Sequence, residues 1–228
     1  MTALFASSYQ WHWSAVFNRN VEHLAIVGLE YTLLVCGLSF VFGSGIGLLV
    51  AGIRLSHRAP FTQIAYVYTD FFRTTPALVQ LIWVFYVLPI LVGISLSPVA
   101  SGVIALSLNA GAFFAEVFRG GIESIPRGQW DAANVLGYRR RSTIFRIILP
   151  QGLRRALPAT ANIFISLLKD SSLLSIIAVP ELTYQTETWA ATTFRPLELY
   201  TALAVAYFLL TYPLSLGATW LERRFRIH

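Results

Sequence analysis

The chain has 228 residues, 56% of them hydrophobic and only 12% charged, with a mean hydropathy of +0.62. So apolar a sequence has too little polar surface to cover a water-soluble globule of this length, which makes the bilayer its solvent. The net charge of +6 would suggest nucleic acid for a soluble protein. Here the arginines lie between apolar runs and report topology, so no nucleic-acid partner is expected.

The N-terminal stretch, residues 1–20, has no basic region followed by an apolar one and does not read as a cleaved signal peptide. Residues 1–23 form an extracytoplasmic segment in which Trp11 and Trp13 suit a membrane interface. A helix needs about 20 apolar residues to cross the hydrocarbon core. The runs of that length are 24–53, 61–92, 98–118, 156–179 and 197–221, and all are too long for strands. They predict an all-α integral membrane protein with about five transmembrane helices, residues 24–228 being its membrane domain. The second run is interrupted at Arg73-Thr74-Thr75-Pro76. The only cysteine, Cys36, lies within the first run and forms no disulfide framework.

Basic residues orient the bundle. With the N-terminus outside, the inner side holds Arg54, Arg58, eight arginines in 119–155, and Arg223, Arg224 and Arg226, against Arg19 and Arg195 outside. That asymmetry predicts N-out and C-terminus cytoplasmic. A sixth span hidden in the second run would undo it.

Gly28, Thr32, Cys36, Ser39, Gly43 and Gly47 recur at steps of three and four along the first span. Small residues on one face let helices approach closely in lipid, and helix packing is their expected role. The spans differ too much in polar content for an inverted repeat.

The loop 119–155 is long and patterned for a plain connection. The segment from Asp131 to Leu136 is helix-permissive, Gly137 suits a positive-φ cap, and Ser142 can cap a second short helix. Pro150 and Pro158 interrupt or start the next span. The loop therefore reads as two short helices with a glycine corner. It either lies on anionic lipid heads or docks a cytoplasmic partner. Asp131-Ala132-Ala133 and Gly137 favour docking, since small side chains let another surface come close.

The frame Asp131-Ala132-Ala133, Gly137, Ile147, Leu149-Pro150 resembles the E-A-A…G…I-x-L-P signature of ABC importer membrane subunits, with Asp131 where Glu is usual. The segment from Phe72 to Gln80 resembles the F-R-x-T-P-x-L-V-Q stretch of polar amino-acid permeases of the histidine, glutamine and glutamate type. The segments 115–122 and 166–173 also fit, so the resemblance covers nearly the whole chain after Ala25.

This resemblance implies a type I ABC importer fold in a bacterial cytoplasmic (inner) membrane. It implies a second permease subunit, identical or paralogous, a pair of ABC ATPase subunits and an extracytoplasmic solute-binding protein that delivers an amino acid. ATP and Mg would be bound by the ATPases, with no cofactor and no metal on this chain. The residues implied for ATPase coupling are Gly128, Asp131, Ala132, Ala133, Gly137, Ile147, Leu149 and Pro150. Closure of the ATPases would then rock the membrane pair between outward- and inward-facing states.

Ionisable groups at membrane depth are costly and usually face a cavity or a partner. Asn162, Ser166, Lys169 and Asp170 share one helical face, continued by Ser172. Gly102, Ala105, Asn109, Ala112 and Glu116 share another, and Pro76 frees backbone groups that must face protein or water. These elements can line a translocation path, with Arg73, Thr74, Thr75, Gln80, Asn109, Glu116, Ser166, Lys169, Asp170 and Ser172 as candidates. Arg73 or Lys169 suits a substrate carboxylate, and Asp170 or Glu116 its ammonium. Equally, Lys169 and Asp170 can serve ion pairs between helices, and Glu116 can pair with Arg119. Glu30 suits an interfacial contact. The outer segment 180–196 is either a contact for the binding protein or a solvated hairpin.

An ion-coupled transporter, a channel and a membrane enzyme are the rival classes. His12, His23, His57 and His228 are scattered, unlike an enzyme's cluster. A secondary transporter would show more spans and repeats.

Overall fold

The computed structural model describes residues 9–17, 19–56 and 59–225, all helical or irregular with no strand among them. Arg58, Arg226, His57, His228 and residues 1–8 lie outside the described residues. The helices are α1 (Arg19–Leu55), α2 (Phe61–Thr74), α3 (Ala77–Val92), α4 (Pro98–Glu123), α5 (Arg127–Val135), α6 (Arg140–Ile177), α7 (Leu182–Thr193) and α8 (Pro196–Phe225).

Helices α1, α4, α6 and α8 are long and apolar enough to cross a membrane, whereas α2 and α3 meet at a bend of 108°. At 1.5 Å per residue, α2 and α3 each reach only about 20–25 Å, short of the roughly 30 Å core, so neither crosses alone. The chain ends decide how the pair counts. His12 N–H donates to Glu198 at 2.9 Å, and the Tyr9 hydroxyl bonds the same carboxylate. The N-terminal segment is therefore tied to the start of α8, and the chain leaves from the far end of that helix. Opposite ends require an odd number of crossings, so α2 and α3 together make one broken span and the bundle has five.

Helix α1 packs mainly along α4, where Ser39, Gly43 and Gly47 of the small-residue face meet it, while Gly28 and Thr32 meet α7 and Cys36 meets α6. A Cβ on Gly47 would lie 2.3 Å from the Cβ of Phe114, and one on Gly43 would lie 3.2 Å from the Ser107 carbonyl oxygen. The polar members of the stripe are spent on backbone. Ser39 donates to Val103 O at 3.5 Å and Cys36 to Leu167 O at 3.3 Å, while Thr32 accepts from Leu182 N–H at 3.3 Å. Such contacts replace the hydrophobic drive that lipid does not supply. Val35, Leu106, Phe114 and Leu168 are buried between them. Exposed Leu49, Ile90, Phe208 and Leu209 face outward, as lipid solvation allows.

Three sequence expectations change. The connection 119–155 is much shorter as a loop, because Arg119 to Glu123 continue α4 and Arg140 to Arg155 already belong to α6. Arginines lower local hydropathy without breaking a helix, so the apolar run stops before the backbone does. Ser142 lies inside the first turn of α6 and not at its start. The residue before the helix is Arg139, with no side-chain cap bond. Pro158 lies inside the helix, and Pro150 sits in the first turn after a π-helical segment, Ile144–Ile148. There Leu149 N–H donates to Ile144 O, five residues back. The same wide turn recurs at Trp83–Val87, just before Pro89. Proline clashes with the carbonyl four residues earlier, and one extra residue in the turn relieves that contact.

The outer segment is also not a hairpin. It folds as α7, capped by Glu181, whose carboxylate accepts from Thr183 N–H at 2.9 Å and Tyr184 N–H at 2.7 Å. Tyr207 adds a third bond at 3.1 Å, and Glu181 is fully buried. Burial raises its carboxyl above the usual range, and these hydrogen bonds pull it back down in part. Trp11 and Trp13 stack with centroids 5.4 Å apart and stay largely exposed. Glu30 is exposed on the outer half of α1.

Candidate functional site

Where α2 breaks, the sequence leaves a specific debt. Pro76 has no N–H for the carbonyl four residues earlier, that of Phe72. Gln80 Nε2 and Asn109 Nδ2 both donate to that oxygen at 3.0 Å. Gln80 Nε2 also donates to Thr75 O at 3.0 Å and its hydroxyl at 2.6 Å, while Gln80 Oε1 accepts from Asn109 at 3.0 Å. Freed carbonyls at membrane depth are thus satisfied by two side chains, one from α3 just past the break and one from α4.

Beside the break lies a cavity of about 400 Å³ between α2, α3, α4 and α6, a size ordinary for small ligands. Arg73, Thr75, Asn109, Ser166, Lys169 and Asp170 line it, together with Asn162 and aromatic walls from Phe72 and Phe113. The break brings α2 residues to the polar face of α6. Thr74, Gln80, Glu116 and Ser172 do not line it. Thr74 bonds Asp70 O at 2.7 Å, Ser172 bonds Lys169 O at 2.7 Å, and Gln80 is buried as the brace. Among the described residues Lys169 and Asp170 form no ion pair with another helix.

Glu116 sits where three arginines converge. Arg54 at the end of α1 bonds Oε1, Arg119 bonds Oε2 at 2.7 and 3.2 Å, and Arg73 stands 3.3 Å from Oε1. Arg54, which the topology count takes as a loop charge, is only 5% exposed. A buried arginine at a helix end has the same sequence signature as a loop charge, so composition missed this contact.

At the inner end α5 closes with a Schellman turn. Tyr138 N–H donates to Ala133 O and Gly137 N–H to Asn134 O, both at 3.0 Å, with Gly137 at φ +73°. Gly128, Asp131, Ala132 and Gly137 are exposed, whereas Ala133 is buried in a chain segment that packs on Ile144–Ile148. Ile147 and Leu149 are half-buried, and Pro150 is exposed. Val135, Leu136 and Phe145 stand out as exposed apolar side chains. Gln151 reaches Gln129 at 3.3 Å, which ties α5 to α6, and Arg155 bonds Ser124 O, which ties α6 to the end of α4.

Apolar helices closed around a partly polar cavity, with a folded loop braced under one end, define a membrane transport subunit. A sequence profile described as "Binding-protein-dependent transport system inner membrane component" matches residues 43–227, and the chain belongs to that family. It is similar to the L-cystine transport system permease protein TcyB of Bacillus subtilis (strain 168), 40% identical over 198 residues, 86% of this chain and 84% of that one. It is also similar to the glutamine transport system permease protein GlnP of Escherichia coli (strain K12), 36% identical over 219 residues, 96% of this chain and 99% of that one.

Among solved structures, the crystal structure of an amino acid ABC transporter with histidines superposes at TM-score 0.86 and 32% identity, covering 95% of this chain and 100% of that one. The inward-facing MetNI methionine ABC transporter shares the fold at TM-score 0.76 and 20% identity, covering 92% of this chain and 100% of that one. The chain is therefore an inner-membrane permease subunit of a transport system, not an enzyme, and its fold is that of type I ABC importers.

Proposed function

We propose that the chain is the conducting subunit of an ABC importer that takes a polar amino acid from a solute-binding protein. It works beside a second permease subunit, and a pair of ATPases supplies ATP and Mg. One observation carries the substrate reading: the cavity presents Arg73 and Lys169 together with Asp170. A carboxylate and an ammonium on one small molecule find partners there. The names of the cystine and glutamine permeases above support the same substrate class.

For the drive, the inner loop supports a docking reading. The segment from Gly128 to Pro150 is folded, tied to two spans, and exposes Asp131, Ala132 and Gly137 beside apolar Val135 and Leu136. Exposed apolar side chains beside small ones suit a surface that a partner covers. The N-out orientation follows from the arginine asymmetry.

The test is the ATPase rate of the whole complex in proteoliposomes, with its binding protein, across the common amino acids and L-cystine. Stimulation by one polar amino acid, with uptake of that compound, supports the reading. A complex without ATPase partners, or one stimulated by no amino acid, overturns it.

A further inference from the structure

Arg73 belongs to two environments at once. It lines the cavity, and its guanidinium pairs with Glu116. Glu116 has two carboxylate oxygens, and both are already served. Arg54 bonds Oε1 with a side chain 4% exposed, and Arg119 holds Oε2 by two nitrogens. Arg73 is the third cation on that carboxylate. Its contact is the longest of the three, its side chain is 41% exposed, and no hydrogen bond from it occurs among the described residues. Arg119 also reaches Glu123, so three arginines face two glutamates and one positive charge is left over.

The cavity wall does not neutralise that charge. Its one carboxylate, Asp170, is adjacent in sequence to its other cation, Lys169. The backbone under Arg73 is fixed by the Gln80–Asn109 brace, so the side chain can swing while its base stays put. Phe113, whose ring centre lies 5.8 Å from the guanidinium carbon, gives it an apolar face to rest on.

Resting on the amino-acid reading above, we propose that Arg73 is exchanged between Glu116 and the carboxylate of a ligand in the cavity. It thereby selects for that carboxylate and makes occupancy felt at the Glu116 cluster. A ligand carboxylate offers the paired hydrogen bonds that Glu116 cannot give a third arginine. When Arg73 leaves, Glu116 keeps Arg54 and Arg119, so the tie between α1 and α4 persists, and the cluster holds α2 only through Arg54, which donates to the Thr69 hydroxyl at 3.3 Å.

The experiment measures direct binding to the permease–ATPase complex in lipid nanodiscs, without the binding protein. The probe is L-glutamine or L-cystine, whichever stimulates more in the panel, against its α-carboxamide. The unsubstituted complex should prefer the carboxylate by about tenfold or more. Arg73→Gln should abolish the preference by weakening the carboxylate probe alone, with Arg73→Lys in between. Glu116→Gln should bind the carboxylate probe more tightly, by about threefold, because Arg73 loses its competitor. A merely damaged protein does not gain affinity. Preference retained in Arg73→Gln, or no gain in Glu116→Gln, overturns the exchange while leaving the cavity reading intact. An unsubstituted complex that binds neither probe overturns both.

Discussion

Gln80 and Asn109 donate to the same oxygen, the Phe72 carbonyl that Pro76 leaves without a helical partner. The break in the second span is therefore a braced joint, held by two amides at fixed places in α3 and α4.

Replacing Gln80 with Leu should expose the weakness of that joint. The Thr75 carbonyl would lose its side-chain donor, and an unsatisfied buried group costs about 1–3 kcal/mol. The melting temperature of the purified complex should fall. Asn109→Leu should be milder, since Gln80 still serves Phe72, and the double variant should cost more than the two single losses added, because only then is the Phe72 carbonyl left without a donor. Strict additivity would show that the two amides do not act together.

Gly47 should tolerate no side chain. An alanine there meets Phe114 Cβ at 2.3 Å, and overpacking of this kind costs about 1–3 kcal/mol. On the same helix, Gly45 has nothing within 4 Å of a built Cβ, so Gly45→Ala is the control. Thermal unfolding of the two variants should separate them clearly; equal melting points would contradict the packing of α1 on α4.

At the inner corner, Gly137→Val puts a β-branched residue at φ +73°, which costs roughly 1–2 kcal/mol or more. Trypsin should then cut the arginines at 139–141 faster in inside-out vesicles, and co-purification of the ATPase should drop. Ala133→Arg should act differently, by unfolding the loop, because Ala133 is 1% exposed. Normal ATPase recovery in both variants would remove the loop from the coupling path.

Lys169→Ala and Asp170→Asn should each lower uptake in proteoliposomes by about tenfold, the worth of one charged contact, without loss of assembly. Neither side chain has an ion pair with another helix among the described residues, so the fold should not need them. Unchanged uptake would take this pair off the translocation path.

Much of this was legible in the residues. Apolar length gave the crossings, Pro76 gave the break, and the three-and-four spacing from Gly28 to Gly47 gave a packing face on α1, though not the helices it meets. What stayed hidden was set by tertiary partners. Gln80 reads as a polar residue in a pathway until the orphaned Phe72 carbonyl is seen beside it. Arg54 counts as an inner charge until Glu116 is found holding it. The wide turns at 83–87 and 144–148 follow from Pro89 and Pro150, yet a proline alone equally signals a kink or a helix start.

Helix α6 runs without a break from Arg140, beside the inner loop, to Asp170 in the cavity and on to Ile177. Its 38 residues make a strut of about 55 Å. A strut cannot shorten, so a push at its lower end becomes tilt at its upper end, and a sideways step of a few ångströms below swings Lys169 in an arc above. Its irregular places are the π turn at Ile144–Ile148 near the lower end, Pro158 in the middle and the tighter 3-10 turns of Ser171–Ile177 at the top. One continuous helix thus joins the inner loop to the cavity wall.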